Sequence, residues 1–286
     1  MSGMKITAAV PCYNAETFID SCIESLQNQT LKPAEIIVVN DGSTDSSEEK
    51  LKKHSSIKLI KHDMNLGLAA ARNTAIEHSS GDVIVFIDAD ASAHPDFIEN
   101  LIECYSDDKI AGVGGEAIEG NLNTIYDRWR NYHAYQGQKE KVLKKVDMIA
   151  GVASSYRREI FDDVGLFDTQ FKTNGEDMEL GLRLKKSGYS LIYTPHAKVN
   201  HLRTDSFKSL SKMIFNWYYY GFIALKKVRG KAAFWYFYVI SKHLVRNIFQ
   251  DVLIYKSIGL AVISVCMASV EYSSVFKNLL LNRMNS

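Results

Sequence analysis

Gly81-Asp82-Val83-Ile84-Val85-Phe86-Ile87-Asp88-Ala89-Asp90 sets five consecutive apolar residues directly ahead of two aspartates separated by one small residue. The run has the length of one strand buried on both faces. Such a strand gains no stability from ending in two carboxylates, because like charges held close repel and want a counter-ion. A divalent cation bridging to phosphates would supply one. Hard oxygen donors suit Mg2+ or Mn2+, which complete their shells with water and phosphate oxygens. The competing reading of Asp88-Ala89-Asp90 is a solvated turn, with Asp there for its loop propensity.

Upstream, the chain alternates strand-like and helix-like stretches. Lys5 to Val10 predicts a buried strand and Pro11-Cys12-Tyr13-Asn14-Ala15-Glu16 a turn. Asn14 is placed to cap a helix whose apolar residues Ile19, Cys22, Ile23 and Leu26 recur at i, i+3, i+4, i+7. Pro33 breaks the link to a second strand, Glu35 to Asn40, which ends in the oxygen-rich turn Asp41-Gly42-Ser43-Thr44-Asp45 with a helix after it. A third strand is expected over Ile57 to Lys61, a loop at Asn65-Leu66-Gly67-Leu68, and a helix over Ala69 to His78 with Arg72 and Asn73 in its first turns. This alternation predicts a doubly wound, mostly parallel sheet with right-handed crossovers, whose ligands lie outside the carboxyl ends of the strands. Tyr13, Asp41 and the pair Asp88/Asp90 all follow strand ends, so one edge should collect them. No G-x-G-x-x-G follows the first strand, and Gly112-Val113-Gly114-Gly115 comes too late to serve as a dinucleotide loop.

Past Gly115 the alternation fades. Asn121 to Tyr135 is polar and aromatic, Gln136 to Lys145 is a charged link, and Ile149 to Tyr156 leads to a helix expected over Arg157 to Val164. Asn174-Gly175-Glu176-Asp177 opens a helix with Leu180 and Leu184 on one face and Gly188 as its stop. Taken alone, acids in a first helical turn are dipole partners. A further strand-like run, Ala197 to Asn200 after Pro195, leads to His201.

The chain has 286 residues, 46% of them hydrophobic, which allows a full core and one large domain with an appendage. Cys12, Cys22, Cys104 and Cys266 show neither metal-ligand spacing nor a disulfide framework, so a reducing compartment is expected. Met1-Ser2-Gly3-Met4-Lys5 leads straight into a strand-like run without a signal-peptide pattern, which favours the cytoplasm. The net charge of +1 conceals an asymmetry: from Phe207 onward eleven Lys/Arg face only Asp251 and Glu271, while the preceding residues are net acidic.

The series Val10-Pro11-Cys12-Tyr13-Asn14, Asn40-Asp41-Gly42-Ser43-Thr44-Asp45, Asn65-Leu66-Gly67, Ala70-Ala71-Arg72-Asn73 and Asp88-Ala89-Asp90 resembles the family 2 inverting glycosyltransferases of the GT-A fold. The resemblance continues through Arg157-Arg158-Glu159, Val164-Gly165-Leu166-Phe167-Asp168 and Gly175-Glu176-Asp177, covering roughly residues 4 to 205. It implies a catalytic domain over 1–206, with a nucleotide-sugar-binding half to about 115 and an acceptor-binding half over 116–206. It implies further that Asp41 bonds the nucleotide base, with Pro11, Tyr13 and Asn14 beside base and ribose. Arg72 would approach the diphosphate, Asp88 would face the ribose and the metal, and Asp90 would ligate Mn2+ or Mg2+, with His201 as a third ligand. Asp177 would be the base of an inverting reaction and Glu176 its supporting neighbour or an acceptor contact.

The segment 207–286 lies outside that resemblance. Ile214-Phe215-Asn216-Trp217-Tyr218-Tyr219-Tyr220 and Phe234-Trp235-Tyr236-Phe237-Tyr238 are aromatic clusters separated by Lys226, Lys227, Arg229 and Lys231 around Gly230. Amphipathic rings with bases between them suit a membrane headgroup layer; the alternative is a helical appendage packed on the catalytic domain or on a second subunit. Val252 to Val270 is interrupted by Lys256, and the clean run Ser257 to Val270 is shorter than the ~17 residues a span needs, so an interfacial or packed helix is expected. The expected function is metal-assisted transfer from a nucleotide-sugar, UDP-linked by family habit, to a hydroxyl of a lipid-linked or envelope glycan. The expected place is the cytoplasmic face of a membrane, peripherally bound, with a possible homo-oligomer through the C-terminal helices and no nucleic-acid partner. Alternatives are a sugar nucleotidyltransferase, for which Pro11-Cys12-Tyr13-Asn14 offers no triphosphate-gripping loop, and a catalytically silent glycan-binding or membrane-scaffold relative.

Overall fold

A computed structural model describes residues 3–134, 143–229 and 233–284. Met1-Ser2, most of the charged link expected over 136–145, and the Gly230-Lys231 step lie outside the described residues. In chain order the elements begin β1 (Ile6–Cys12), α1 (Ile19–Gln27), β2 (Glu35–Asn40), α2 (Ser47–Leu51), β3 (Lys58–Lys61), α3 (Leu68–Glu77), β4 (Val83–Ile87), β5 (Ala91–Ala93), α4 (Phe97–Ile102) and β6 (Ile110–Glu119). They continue with α5 (Ile125–His133), β7 (Lys144–Val146), β8 (Ala153–Arg157), α6 (Ile160–Val164), α7 (Glu176–Lys186), β9 (Ser190–His201), α8 (Phe207–Arg229), α9 (Ala233–Phe249), a π-helical stretch Gln250–Ile254, and α10 (Ile258–Met284).

Residues 3–120 and 143–203 form one compact unit built on a single sheet in the order β3-β2-β1-β4-β8-β6-β9-β5, with β7 on β9. The five apolar residues of β4 are fully buried, and they alternate between two cores. Val83, Val85 and Ile87 pack with α1 and α4 on one face; Ile84 and Phe86 pack with α3, α6 and α7 on the other. Each such side chain is worth roughly 1.5–3 kcal/mol of transfer free energy, so the central strand anchors the unit.

The sheet is mixed rather than mostly parallel. β3, β2, β1 and β4 are mutually parallel, as strand–helix alternation demands, but β8 runs antiparallel to β4 and to β6, and β5 and β7 run antiparallel to β9. The source of the difference is Ala153-Ser154-Ser155-Tyr156-Arg157. It lacks a β-branched run and was expected only as a lead-in to a helix starting at Arg157, yet it is a strand beside β4, and the helix after it begins at Ile160. β9 is likewise longer than its apolar end suggested. It carries Pro195 inside it, where the pairing with β6 slips between Gly114↔Tyr193 and Glu116↔Lys198 and so spares Pro195 a ladder bond. α1 differs at its start: it begins at Ile19 without a side-chain cap, and Asn14 sits in left-handed geometry with its amide oxygen accepting from Thr44 N at 2.8 Å.

Residues 121–134 and those from Thr204 onward form the second unit. Trp129 of α5, Leu210, Met213 and Ile214 of α8, and Leu260, Ile263 and Met267 of α10 make its core. Trp129 Nε1 donates to Ser264 Oγ (2.8 Å), Ser264 donates to Asp251 Oδ2 (2.6 Å), and His133 Nε2 meets Asp251 Oδ1 at 2.7 Å. This buried network sits where the helix opens into its π stretch. Lys256, at φ 51°, lies between the π stretch and α10 rather than within a helix. α10 therefore runs unbroken past Val270, and Ile258–Leu281 is long and apolar enough to cross a membrane by length and composition. Its inner face nonetheless buries Ser264, Glu271, Ser274 and Asn278, the pattern of a packed helix.

Candidate active site

The carboxyl ends of β1 and β2 are in register, Cys12 opposite Asn40, and Asp41 N donates to Cys12 O at 2.8 Å. Ser43 Oγ accepts from Asn14 N and Ser47 Oγ from Ala15 N, lacing the two following loops together. Pro11 is the penultimate residue of β1 and buried, while Tyr13 projects half-exposed. Asp41 is buried, and its carboxylate is already engaged: Oδ1 accepts from Leu66 N (2.9 Å), Oδ2 from Gly67 N (2.8 Å), and His62 Nδ1 lies 2.6 Å from Oδ1. His62 reaches Thr74 Oγ1 through its other ring nitrogen. Asp41 thus anchors the Asn65–Gly67 loop. His62 has no motif of its own; its only signal is that it follows β3 as Asp41 follows β2.

Arg72 is the pivot of the site. α3 delivers it into the core, 1% exposed, beneath Phe86 and Phe167, with ring centroids 5.7 and 5.6 Å from the guanidinium carbon. Nη1 donates to Glu176 Oε1 at 2.5 Å, and Nη2 to Asp88 Oδ1 at 3.2 Å. The expected diphosphate contact therefore meets a guanidinium whose two terminal nitrogens are both held by carboxylates. The physical reason is burial: a guanidinium and a carboxylate withdrawn from water must pair, and Glu176, 2% exposed, has Arg72 as its partner. Burial first, then the neighbouring Asp177 charge, push the Glu176 carboxyl up to about 7 against the pull of Arg72. Gly151 completes the cradle, because a Cβ there would run into the Arg72 guanidinium.

Asp177 lies at the start of α7, partly exposed, with Oδ2 accepting from Gly151 N (3.2 Å) and Oδ1 from Met178 N (2.7 Å). Asp88 and Asp90 are both about 30% exposed at the end of β4. The antiparallel pair β5·β9 sets Ala91 opposite His201, and Leu202 N donates to Asp90 O, so His201 Nε2 comes to 3.4 Å from Asp90 Oδ2. On its other side the parallel pair β6·β9 sets Glu119 opposite His201, and Nδ1 lies 3.4 Å from Glu119 Oε1. Burial works to lower the His201 pKa, but Asp90 and Glu119 prevail and raise it to about 9. Glu119 escaped the sequence reading because only strand register brings it to His201.

The structure therefore brings Arg72, Asp88, Asp90, Glu176, Asp177 and His201 to one place, with electrostatic coupling running from Asp88 to Asp90, His201 and Asp177. It leaves Asn14 occupied in the loop lacing. Two donors bound side by side to one ion at about 2.1 Å each lie about 3 Å apart, so the Asp90–His201 separation fits a shared Mn2+ or Mg2+. Among the described residues no three or more His, Cys, Asp or Glu side chains form a ready-made metal cage.

Residues 7–165, more than half of the chain, match the model of the family described as glycosyl transferase family 2. Similar curated proteins include glycosyltransferase GlyA of Streptococcus pneumoniae, 32% identical over 59% of this chain and 22% of its own length. Another is the O-antigen chain rhamnosyltransferase RfbN of Salmonella typhimurium, 30% identical over 69% of this chain and 66% of its own. The chain thus spans only about a fifth of the first and just under two thirds of the second. Among solved structures, mannosyltransferase PcManGT from Pyrobaculum calidifontis, in complex with GDP-Man and Mn2+, superposes with a TM-score of 0.69 at 17% identity, over 96% of this chain and 87% of that one. GalNAc-T7 with UDP, GalNAc and Mn2+ does so with a TM-score of 0.62 at 16% identity, over 79% and 48%. With a GT-A fold and the family's motifs at the ends of its strands, this chain belongs to glycosyl transferase family 2.

Proposed function

We propose that this enzyme moves a sugar, with inversion, from a nucleoside-diphosphate donor to a hydroxyl of a lipid-linked or envelope glycan, at the cytoplasmic face of a membrane. The observation that carries the proposal is the Arg72 bridge: one guanidinium holds Asp88 of the strand-end pair and Glu176 of α7, so the acids assigned to donor and acceptor face a common space. Support for a nucleotide-sugar and a divalent ion comes from the solved neighbours, whose complexes hold UDP or GDP-Man with Mn2+.

In this reading the donor lies along the strand ends, with its base beside Tyr13 and the loop that Asp41 anchors. Asp90 and His201 would hold Mn2+ or Mg2+, with Asp88 on the ribose side. An ion held there would supply Lewis-acid neutralisation of the charge that develops on the departing diphosphate. The acceptor oxygen attacks the anomeric carbon from the opposite side as the bond to the diphosphate oxygen breaks, and the acceptor proton passes to the Asp177 carboxylate. Its two backbone donors, Gly151 N and Met178 N, fix that carboxylate while leaving it partly exposed. Arg72 acts as a positioning residue, holding Asp88 and Glu176 apart from each other's charge.

A panel of nucleotide-sugars tested for Mn2+-dependent thermal stabilisation checks the donor side. A ligand at 100 times its Kd adds about 2.7 kcal/mol, and one sugar nucleotide should stand out. Stabilisation by none, with or without the metal, would defeat the proposal.

A further inference from the structure

Among the described residues, the second unit shows no acidic side chain at its surface. All four of its acids are buried: Asp127 bonds Thr124 and Asp205 N, Asp205 pairs with Arg130, Asp251 pairs with His133 and Ser264, and Glu271 lies against Tyr218. Apart from Arg130, which is buried against Asp205, the described Lys and Arg side chains of this unit are turned outward, among them Lys242, Arg246 and Lys256. The same unit carries a concentrated apolar projection. α9 and α10 form a hairpin, with Phe237 stacked on Tyr272 and Ser241 bonded to Tyr272, so the π stretch and its flanks make the tip. At that tip Val245 (71% exposed), Phe249, Leu253, Ile254, Ile258 (79%) and Val262 all face outward. Asp251, the one acid in this stretch, is turned inward by the π geometry and its His133 and Ser264 partners.

From this juxtaposition of an apolar helical tip and an exclusively basic surround we infer that the α9–α10 hairpin tip is the docking surface of this enzyme for an anionic phospholipid bilayer. The spacing agrees with an interfacial depth. Arg246 and Lys242 stand three and seven residues before Phe249, about 5 and 10 Å back along a helix rising about 1.5 Å per residue. With the tip sunk about 5–10 Å, both bases reach the phosphate layer. Lys256 is exposed on the tip itself, where its long stem can reach back toward the headgroups. The buried polar face of α10 and its outward apolar tip together describe a helix that packs on its own unit and enters the bilayer only at its end. This inference rests on the proposal that the enzyme works at a membrane surface.

The test is sedimentation of the full chain with phosphatidylcholine vesicles, with and without phosphatidylglycerol. Wild type should bind the anionic vesicles on the order of ten-fold more tightly, less so at high salt. The pair Leu253→Asp/Ile258→Asp, or the milder Ile258→Ser, should weaken binding to both vesicle types. Lys242→Glu/Arg246→Glu should remove the anionic preference alone, and Phe276→Ser, on the exposed face of α10 away from the tip, should change nothing. Matched melting curves keep folding out of the comparison. If wild type binds neither vesicle, the membrane reading falls with the docking surface. If wild type binds and the tip variants bind equally well, only the docking surface falls. Should light scattering find a dimer that the tip variants split while vesicle binding persists, the tip is a self-association surface and the inference is overturned.

Discussion

Asp177 and Glu176 are adjacent in the chain yet differ in what surrounds them. Glu176 is sealed against Arg72, and its carboxyl is pushed up to about 7, whereas Asp177 keeps access to solvent and two backbone donors. In the proposed reaction the buried acid would hold the architecture, and the accessible one would take the proton. Asp177→Asn should leave donor-dependent thermal stabilisation nearly unchanged and lower kcat by about 10²–10⁴-fold, because the lost interaction acts in the transition state. Undiminished turnover would remove Asp177 from the role. Glu119 makes a second case. A carboxylate on the far nitrogen of a ligating imidazole fixes its orientation, and losing such a partner costs about 10–100-fold in metal affinity. Glu119→Gln should weaken Mn2+ binding by that order in a titration followed by electron paramagnetic resonance, and an unchanged Kd would show that Glu119 plays no part in holding the ion.

The loop between β3 and α3 is set by backbone geometry as much as by side chains. Gly67 adopts φ 101°, and a Cβ there would lie 2.8 Å from Lys172 O and 2.9 Å from Lys172 Cα, where Leu68 N also donates to Lys172 O. Gly67→Ala therefore has to move this loop away from Lys172 and away from Asp41, which accepts from Gly67 N. The expected cost is about 1–3 kcal/mol of stability with a rise in KM for the donor, measurable by denaturant unfolding and initial rates. A variant as stable as wild type with unaltered KM would show that the loop has room the structure does not suggest. Such close approaches explain why position 67 needs glycine.

The second unit stores its acids inside, which makes its stability depend on pH. Burial raises Glu271 from an ordinary 4.5 to about 8, opposed by its contact with Tyr218 and by Arg246. Between those two values the folded protein keeps a proton that the unfolded chain has released, so stability falls as pH rises through this window and the full penalty is present above pH 8. Glu271→Gln should melt close to wild type near pH 4.5 and higher than wild type at pH 8.5, by about 2 kcal/mol or roughly 4–8 °C. Identical pH profiles for the two proteins would mean that Glu271 is ionised in the fold. The same burial leaves the unit's surface basic, so a feature of internal stability also governs what the unit can approach.

Local pattern was enough for much of this protein. The apolar run Val83–Ile87, its terminal aspartates, the amphipathic Ile19–Leu26 face and the glycine-bearing turns are each written within a dozen residues. The physics behind them, burial of alternating side chains and special backbone angles, acts at that range. Strand β8, the pairing of Glu119 with His201, and the capture of Arg72 by Asp88 and Glu176 join residues 16 to 104 positions apart and have no local signature. They depend on the register of neighbouring strands and on which charges lose access to water, and those are fixed only when the sheet and its helices close around one another.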